Sequence, residues 1–394
     1  MRLIRNLLLV FLVFLAACDR SELSDDDVGA APSPRPGAQS PRGAAPTREH
    51  EAAEEPVLNV YNWADYIHPD TIPNFEREFG IDVNYDLYDS TEVVEAKLLA
   101  GSTGYDVVFH SMRYSSRLIP IGVYQPLDRS KLPLWDNLDP WVLDRIEAYD
   151  PGNQYAMPYM WGSTGFAYNV DLIQERMPDA PLNSGDMLFK PEVVSQFADC
   201  GVSILDEPTD VIPMVMLYLG HDANSMDPDH IAQVEAVLKS VRPYIKYFSS
   251  TKMINDLPNL EVCLAMSWSG DYAQARQRAR EAGVEINLAY ETPKEGTVIW
   301  FDGIFISADA PHPGNAYKFL NYLLRPEVIA RISDETRYAN ANRKSFPYML
   351  PEVANDPAAY PSAEQRQQLN AGLIFDPKLE RRRTRAWSRI KTGL

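Results

Sequence analysis

Among the short stretches of this 394-residue chain that set a tryptophan two or three residues from a carboxylate, three could do chemistry together. They are "NVYNWADYI" with Trp63 and Asp65, "SWSGD" with Trp268 and Asp271, and "WFDG" with Trp300 and Asp302. A fourth stretch, "LDEPTD", holds Glu207 and Asp210. Such pairs suit an alkylammonium. Carboxylates accept its N–H groups in charge-assisted hydrogen bonds. A Trp face covers its methylenes and attracts the cation by about 0.5–2 kcal/mol. A molecule with amines at both ends of a methylene chain needs acids at both ends and aromatics between, which implies a polyamine. Each piece alone has an ordinary explanation: a strand-end Trp as core, "SGD" as a helix start, "LDEPTD" as a turn.

These residues sit on a chain that alternates short strands and helices. "PVLNVYNW", "IDVNYDLY" and "YDVVFH" are expected strands. Between them "DTIPNFEREFG" and "STEVVEAKLLAG" are expected helices closed by Gly80 and Gly101. A β-α-β-α-β run implies a largely parallel sheet with helices on both faces, and such sheets bind ligands beyond the carboxyl ends of their strands. "NWADY" and "FHSMRY" fall at those ends. "YAMPYMWGSTGFAYNV" has no helical period and reads as a strand crossing to a second lobe, while "INLAYETPKEGTVIWFDGIFI" returns. "PDHIAQVEAVLKSVRPYI" and the tail segments "GNAYKFLNYLLRPEVIARI" and "DPKLERRRTRAWSRIKTG" read as helices.

The start of the chain speaks to compartment. Arg2 and Arg5 precede an apolar run from Leu7 to Ala17, too short to span a bilayer comfortably, so residues 1–17 read as a secretory signal. The run ends in "LAAC", similar to the bacterial lipobox, which implies cleavage before Cys18 and lipidation of it; the alternative is an ordinary signal peptide with an incidental cysteine. Asp19 resembles the signal for retention at the inner membrane of Gram-negative lipoproteins. Residues 18–56, rich in Pro, Ala, Ser, Gly and charge, read as a disordered tether spanning roughly 30–40 Å.

The remaining residues are too many for one ordinary core and suggest two lobes. The expected division is 57–160 plus 285–330 for lobe I and 161–284 plus 331–394 for lobe II. A net charge of -18 argues against nucleic acid and favours a cationic partner. Beyond Cys18 only Cys200 and Cys263 remain. In an oxidising compartment they are most simply a disulfide, the alternative being two buried thiols, since neither has metal-type spacing. No G-x-S-x-G, Walker loop or H-E-x-x-H occurs, so no enzyme, metal or cofactor is expected.

The order of the pieces is also recognisable. "YNWADYI", "KLLAGSTGYDVV", "SKLPLWDNLDP", "AMPYMWGSTGFAYN", "FLNYLLRPEV", "YANAN" and "RTRAWSRIKTG" resemble the putrescine-binding periplasmic receptors of ABC polyamine importers. The resemblance implies an α/β, type II periplasmic binding protein fold: two lobes joined by crossing strands, with the ligand between them. It also implies the Cys200–Cys263 disulfide of that subgroup. Carried over, it sets Trp63, Asp65, Tyr66 and Ser111 in the cleft with Asp210, Trp268, Asp271, Trp300, Asp302 and Tyr338. Asp271 and Asp302 would hold amines, assisted by Asp65 and Asp210, within a box of Trp63, Trp268, Trp300 and Tyr338.

Ala64, Arg113, Tyr114 and Glu207 bear on specificity, and some positions depart from that pattern. Ala64 stands where a hydroxyl residue is usual, and Asp210 replaces a longer Glu. Trp300 and Glu207 are similar to a spermidine-preferring branch; Asp65, Asp271 and the cysteine pair are similar to the putrescine branch. Arg113 is expected near the cleft mouth, repelling amines unless Asp65 or Glu207 pairs with it. The implied partners are a polyamine and an inner-membrane ABC permease, the protein being a lipid-anchored periplasmic monomer. The alternative is a sensor of polyamine, or of an agmatine-like cation, that docks a signalling protein.

Overall fold

The structure, a computed structural model, describes residues 54–88, 91–225, 227–366, 369–370 and 376–392. The signal segment, Cys18 and the tether as far as residue 53 lie outside the described residues.

The chain begins with the expected alternation: β1 (Val57–Trp63), α1 (Thr71–Phe79), β2 (Asp82–Tyr88), α2 (Thr91–Ala100), β3 (Val107–Ser111) and α3 (Met112–Leu118). Helix α1 buries Phe75 and ends where Gly80 turns left-handed at φ 64°, its N–H closing on the Glu76 carbonyl. Strands β1, β2 and β3 run parallel, with β1 in the middle. This places the carboxyl ends of β1 and β3, and so Trp63 and Ser111, at one edge of the sheet.

A long strand β4 (Ala156–Asn169) follows, buried along all 14 residues. Burial on both faces explains why its sequence shows no alternation. Beyond it come β5 (Val202–Ile204), α4 (Pro208–Tyr218), α5 (Pro228–Val241), β6 (Tyr247–Phe248), β7 (Leu264–Trp268) and α6 (Ser269–Glu281). Strand β8 (Leu288–Glu291) leads to β9 (Thr297–Ile306), then α7 (Pro313–Leu323), α8 (Pro326–Thr336), β10 (Ala339–Asn340) and the tail helix α9 (Pro377–Thr392).

The strand order β2-β1-β3-β9-β4-β7-β5-β6 makes β9 and β4 the bridge between two halves. Within that order both are antiparallel to their neighbours, while the two-residue strand Leu369–Asn370 pairs parallel with the start of β9 outside it. Residues 156–161 of β4 and 299–306 of β9 pack in one core with Phe75, Phe109 and Phe319. Phe166 and Tyr168 of β4, and Val298 of β9, pack in another with Phe197, Met266 and Trp387.

Two expected boundaries shift. Ile332, Tyr338, Ala339 and Ala341 pack in the first core, whereas residues 331–394 were expected with the second lobe. Leu288 of β8 packs instead with the second half, beside Ala167 and Tyr272. The reason is pairing: β10 joins β4 at Met160–Trp161, and β8 joins β4 at Phe166–Asn169. Contacts of the body also begin before residue 57. The Glu54 carboxylate accepts the backbone N–H groups of Gly314 and Asn315, both at 2.8 Å, at the start of α7. Asp82 N–H donates to the Pro56 carbonyl. Cys200 and Cys263 form a disulfide with Cα atoms 5.5 Å apart, tying the approach to β5 to that of β7.

Candidate functional site

A cavity of about 450 Å³ is lined from both halves. Trp63 reaches it from the end of β1, followed by Ala64, Asp65 and Tyr66 in the turn that leaves the strand. Asp65 is exposed and takes a left-handed φ of 53°. Ser111 ends β3 directly opposite Asp302 of β9. From the second half come Asp210 in the first turn of α4, Trp268 at the end of β7, and Asp271 in the first turn of α6. Trp300 lies on β9, and Tyr338 immediately precedes β10. All of these residues line the one cavity, as do Arg113, Tyr114 and Glu207.

Hydrogen bonds fix three carboxylates. The Tyr66 hydroxyl donates to Asp302 at 2.8 Å, and the Tyr338 hydroxyl donates to Asp271 at 2.5 Å. Asp210 accepts from Thr164 at 2.9 Å and from the Trp268 indole N–H at 3.3 Å. The aromatic rings make a continuous wall: Tyr66 meets Tyr338 edge-on at 5.7 Å, Tyr338 meets Trp300 at 5.1 Å, and Trp300 meets Trp268 at 6.5 Å. Trp63 packs on Tyr88, which ends the neighbouring strand in register with it. The indole N–H groups of Trp63 and Trp300 are buried without a partner among the described residues.

Two glycines allow this packing. A Cβ on Gly162 of β4 would stand 2.5 Å from the Trp300 ring, and one on Gly270 of α6 would stand 2.4 Å from the Tyr338 ring. Any other residue would push the aromatic wall aside.

Electrostatics mark the acids as unusual. Asp271 and Asp302 are each pushed up to about 7, chiefly by burial, against the opposing effect of their tyrosine hydroxyls. Burial raises Asp210 as well. The positive ends of α4 and α6 favour ionised Asp210 and Asp271, but desolvation outweighs them. Among the described residues neither Asp271 nor Asp302 has an ion-pair partner, so a ligand cation would supply what the protein withholds.

Arg113 differs from expectation. It is buried (7 % exposed) rather than standing at an open mouth. Its ion pair is with Glu380 of α9 at 2.6 Å, and it also donates to the Thr209 carbonyl at 3.1 Å. Glu207 serves as the cap of α4, accepting from the Thr209 N–H and hydroxyl, and it accepts from the Tyr114 hydroxyl at 3.2 Å.

The cavity also contains residues that sequence reasoning passed over. Tyr88, Thr91, Tyr149, Lys252, Gln274 and Arg278 line it. For Tyr88 a signal existed, since it ends a strand beside the one that carries Trp63. The others sit on loops and helix faces whose approach to the cavity depends on tertiary packing.

Comparison with known proteins adds the family. Residues 71–361 match the family described as bacterial extracellular solute-binding protein. The chain is 48% identical over 344 residues to the putrescine-binding periplasmic protein PotF of Escherichia coli, covering 87% of this chain and 93% of that protein. It is 34% identical over 314 residues to the spermidine/putrescine-binding periplasmic protein of the same organism, covering 79% and 85%. In structure it is similar to the spermidine/putrescine ABC transporter substrate-binding protein PotD of Streptococcus pneumoniae, with a TM-score of 0.72 and 28% identity over 86% of this chain and 99% of that one.

Proposed function

We propose that this chain, which belongs to the bacterial extracellular solute-binding protein family, captures a linear diamine of the putrescine type in the periplasm and hands it to an inner-membrane ABC permease. One observation carries the reading. Two buried carboxylates, Asp271 and Asp302, are each held by a tyrosine hydroxyl and have no ion-pair partner among the described residues, on either side of an edge-to-face tyrosine pair. A ligand with an ammonium at each end meets both acids, and its methylenes lie along Trp300, Trp268 and Trp63. Asp65 and Asp210 assist, and Ser111 lies beside Asp302. The relatives' names agree with this ligand class.

Binding works by closure. Strands β4 and β9 bridge the two halves in the main ladder of the described residues, so bending there brings Asp210, Trp268 and Asp271 against Trp63, Tyr66 and Asp302. Closure removes water and strengthens each charge pair. The closed surface is then what a permease recognises. In this reading Cys18 carries lipid, and the segment after it tethers the receptor to the membrane.

Titration calorimetry with putrescine tests the proposal. A micromolar affinity corresponds to about 8 kcal/mol. Replacing Asp271 or Asp302 by Ala leaves a buried ammonium unpaired and is expected to cost about 2–5 kcal/mol. Normal binding by both variants would contradict the assignment.

A further inference from the structure

The wall beyond Asp302 and Asp210 does not continue as the first part of the cavity begins. Asp271 and Asp302 stand on tyrosine hydroxyls and have no ion-pair partner among the described residues. Two residues past Ser111, the strand partner of Asp302, the chain presents Arg113. Its guanidinium rests on the carbonyl of Thr209, the residue before Asp210, and on Glu380.

Glu380 is itself shared. Arg383, fully buried on α9, donates to the same Glu380 oxygen at 3.0 Å and to the Ala223 carbonyl at 2.6 Å. Two buried guanidinium groups therefore divide one carboxylate. The other acid nearby, Glu207, already accepts three hydrogen bonds, from the Thr209 N–H, the Thr209 hydroxyl and the Tyr114 hydroxyl. At this end of the cavity a fixed guanidinium stands beside acids that are engaged, whereas Asp271 and Asp302 have no ion pair of their own among the described residues, although Arg278 and Lys252 also line the cavity and Arg278 favours ionised Asp271.

Resting on the diamine reading above, we propose that Arg113, held by Glu380 and Thr209, is a specificity residue that restricts the site to ligands with two ammonium groups and rejects a third. A triamine anchored at Asp271 and Asp302 extends its remaining amine toward a guanidinium in a desolvated wall. Like charges there oppose binding strongly. A diamine ends before it reaches Arg113.

The test compares putrescine and spermidine by calorimetry on the wild-type protein, Arg113→Met and Glu380→Gln, reading the ratio of the two dissociation constants. Wild type is expected to favour putrescine by about tenfold or more, a discrimination of the size that one repulsive buried charge gives. Arg113→Met is expected to shift the ratio toward spermidine by about tenfold, because the like charge is then gone from that wall while Glu380 keeps Arg383. Glu380→Gln is expected to shift it the other way, since it leaves the guanidinium without its counter-charge. Opposite shifts from two neighbours exclude a general loss of packing. Putrescine bound by wild type, with a ratio that neither variant moves, would overturn the role of Arg113 alone. Wild type that binds neither amine would overturn the diamine reading itself.

Discussion

Lowering the pH from 8 to 6 is expected to weaken putrescine binding by about a hundredfold, and the figure follows from two side chains. Asp271 and Asp302 each titrate near 7 in the ligand-free protein because burial disfavours their charged forms. An ammonium requires the ionised carboxylate, so the ligand must first be met by a deprotonated site. At pH 8 about nine in ten of each group are ionised, and at pH 6 about one in eleven, a loss near tenfold for each. The ligand's own amines, with pKa values near 10 like that of lysine, stay charged throughout. Asp210, also raised by burial, pulls in the same direction.

The linkage has a definite sign. A carboxyl whose folded pKa is raised binds its proton more tightly in the folded state. Its stabilisation is fully present below the unfolded value near 3.8 and is lost as the pH rises through about 7. Ligand-free protein should therefore melt lower at pH 8 than at pH 5 as far as these two groups decide it, while the increment in Tm from putrescine grows over the same range. The assay is calorimetric titration at pH 6, 7 and 8 in buffers of different ionisation enthalpy. About one proton should be released per ligand at pH 7, half from each carboxyl. A flat affinity between pH 6 and 8 with no proton release would refute the reasoning.

Two further outcomes are expected. Gly270→Ala should weaken putrescine binding by about 1–3 kcal/mol because its Cβ displaces Tyr338 from Asp271, measured by calorimetry, although helix propensity alone would make the same change stabilising. Cys263→Ser opens a crosslink between residues 63 apart and should lower unfolding stability by about 4 kcal/mol in denaturant titration, a figure from loop entropy.

What was legible in the sequence was local. Helix α1 could be read from Phe75 and Phe79 against Gly80, β1 and β3 from short largely apolar runs, and β2 from alternation of polar and apolar residues. The Trp–Asp pairs were legible because one short stretch carries both members, at the ends of β1 and β7 for Trp63 and Trp268 and within β9 for Trp300, so their proximity needs no tertiary information. Tyr338 beside Asp271, and Tyr66 beside Asp302, lie 67 and 236 residues apart in sequence, and the resemblance rather than the spacing brought them together. The ion pair of Arg113 with Glu380 spans 267 residues and follows from how α9 docks on the second core, which periodicity does not encode. The misplaced boundary at residues 331–341 has a similar cause. Strand β10 is two residues long and acquires its place only by pairing with β4.

The central claim is that Asp271 and Asp302 grip the two ends of one diamine. A crystal structure of the protein with putrescine tests it most directly. The account predicts one nitrogen within hydrogen-bond distance of Asp271 and the other within that distance of Asp302, with the methylenes against Trp300. Both nitrogens lying on other groups, or the ligand seated outside this cavity, would contradict it.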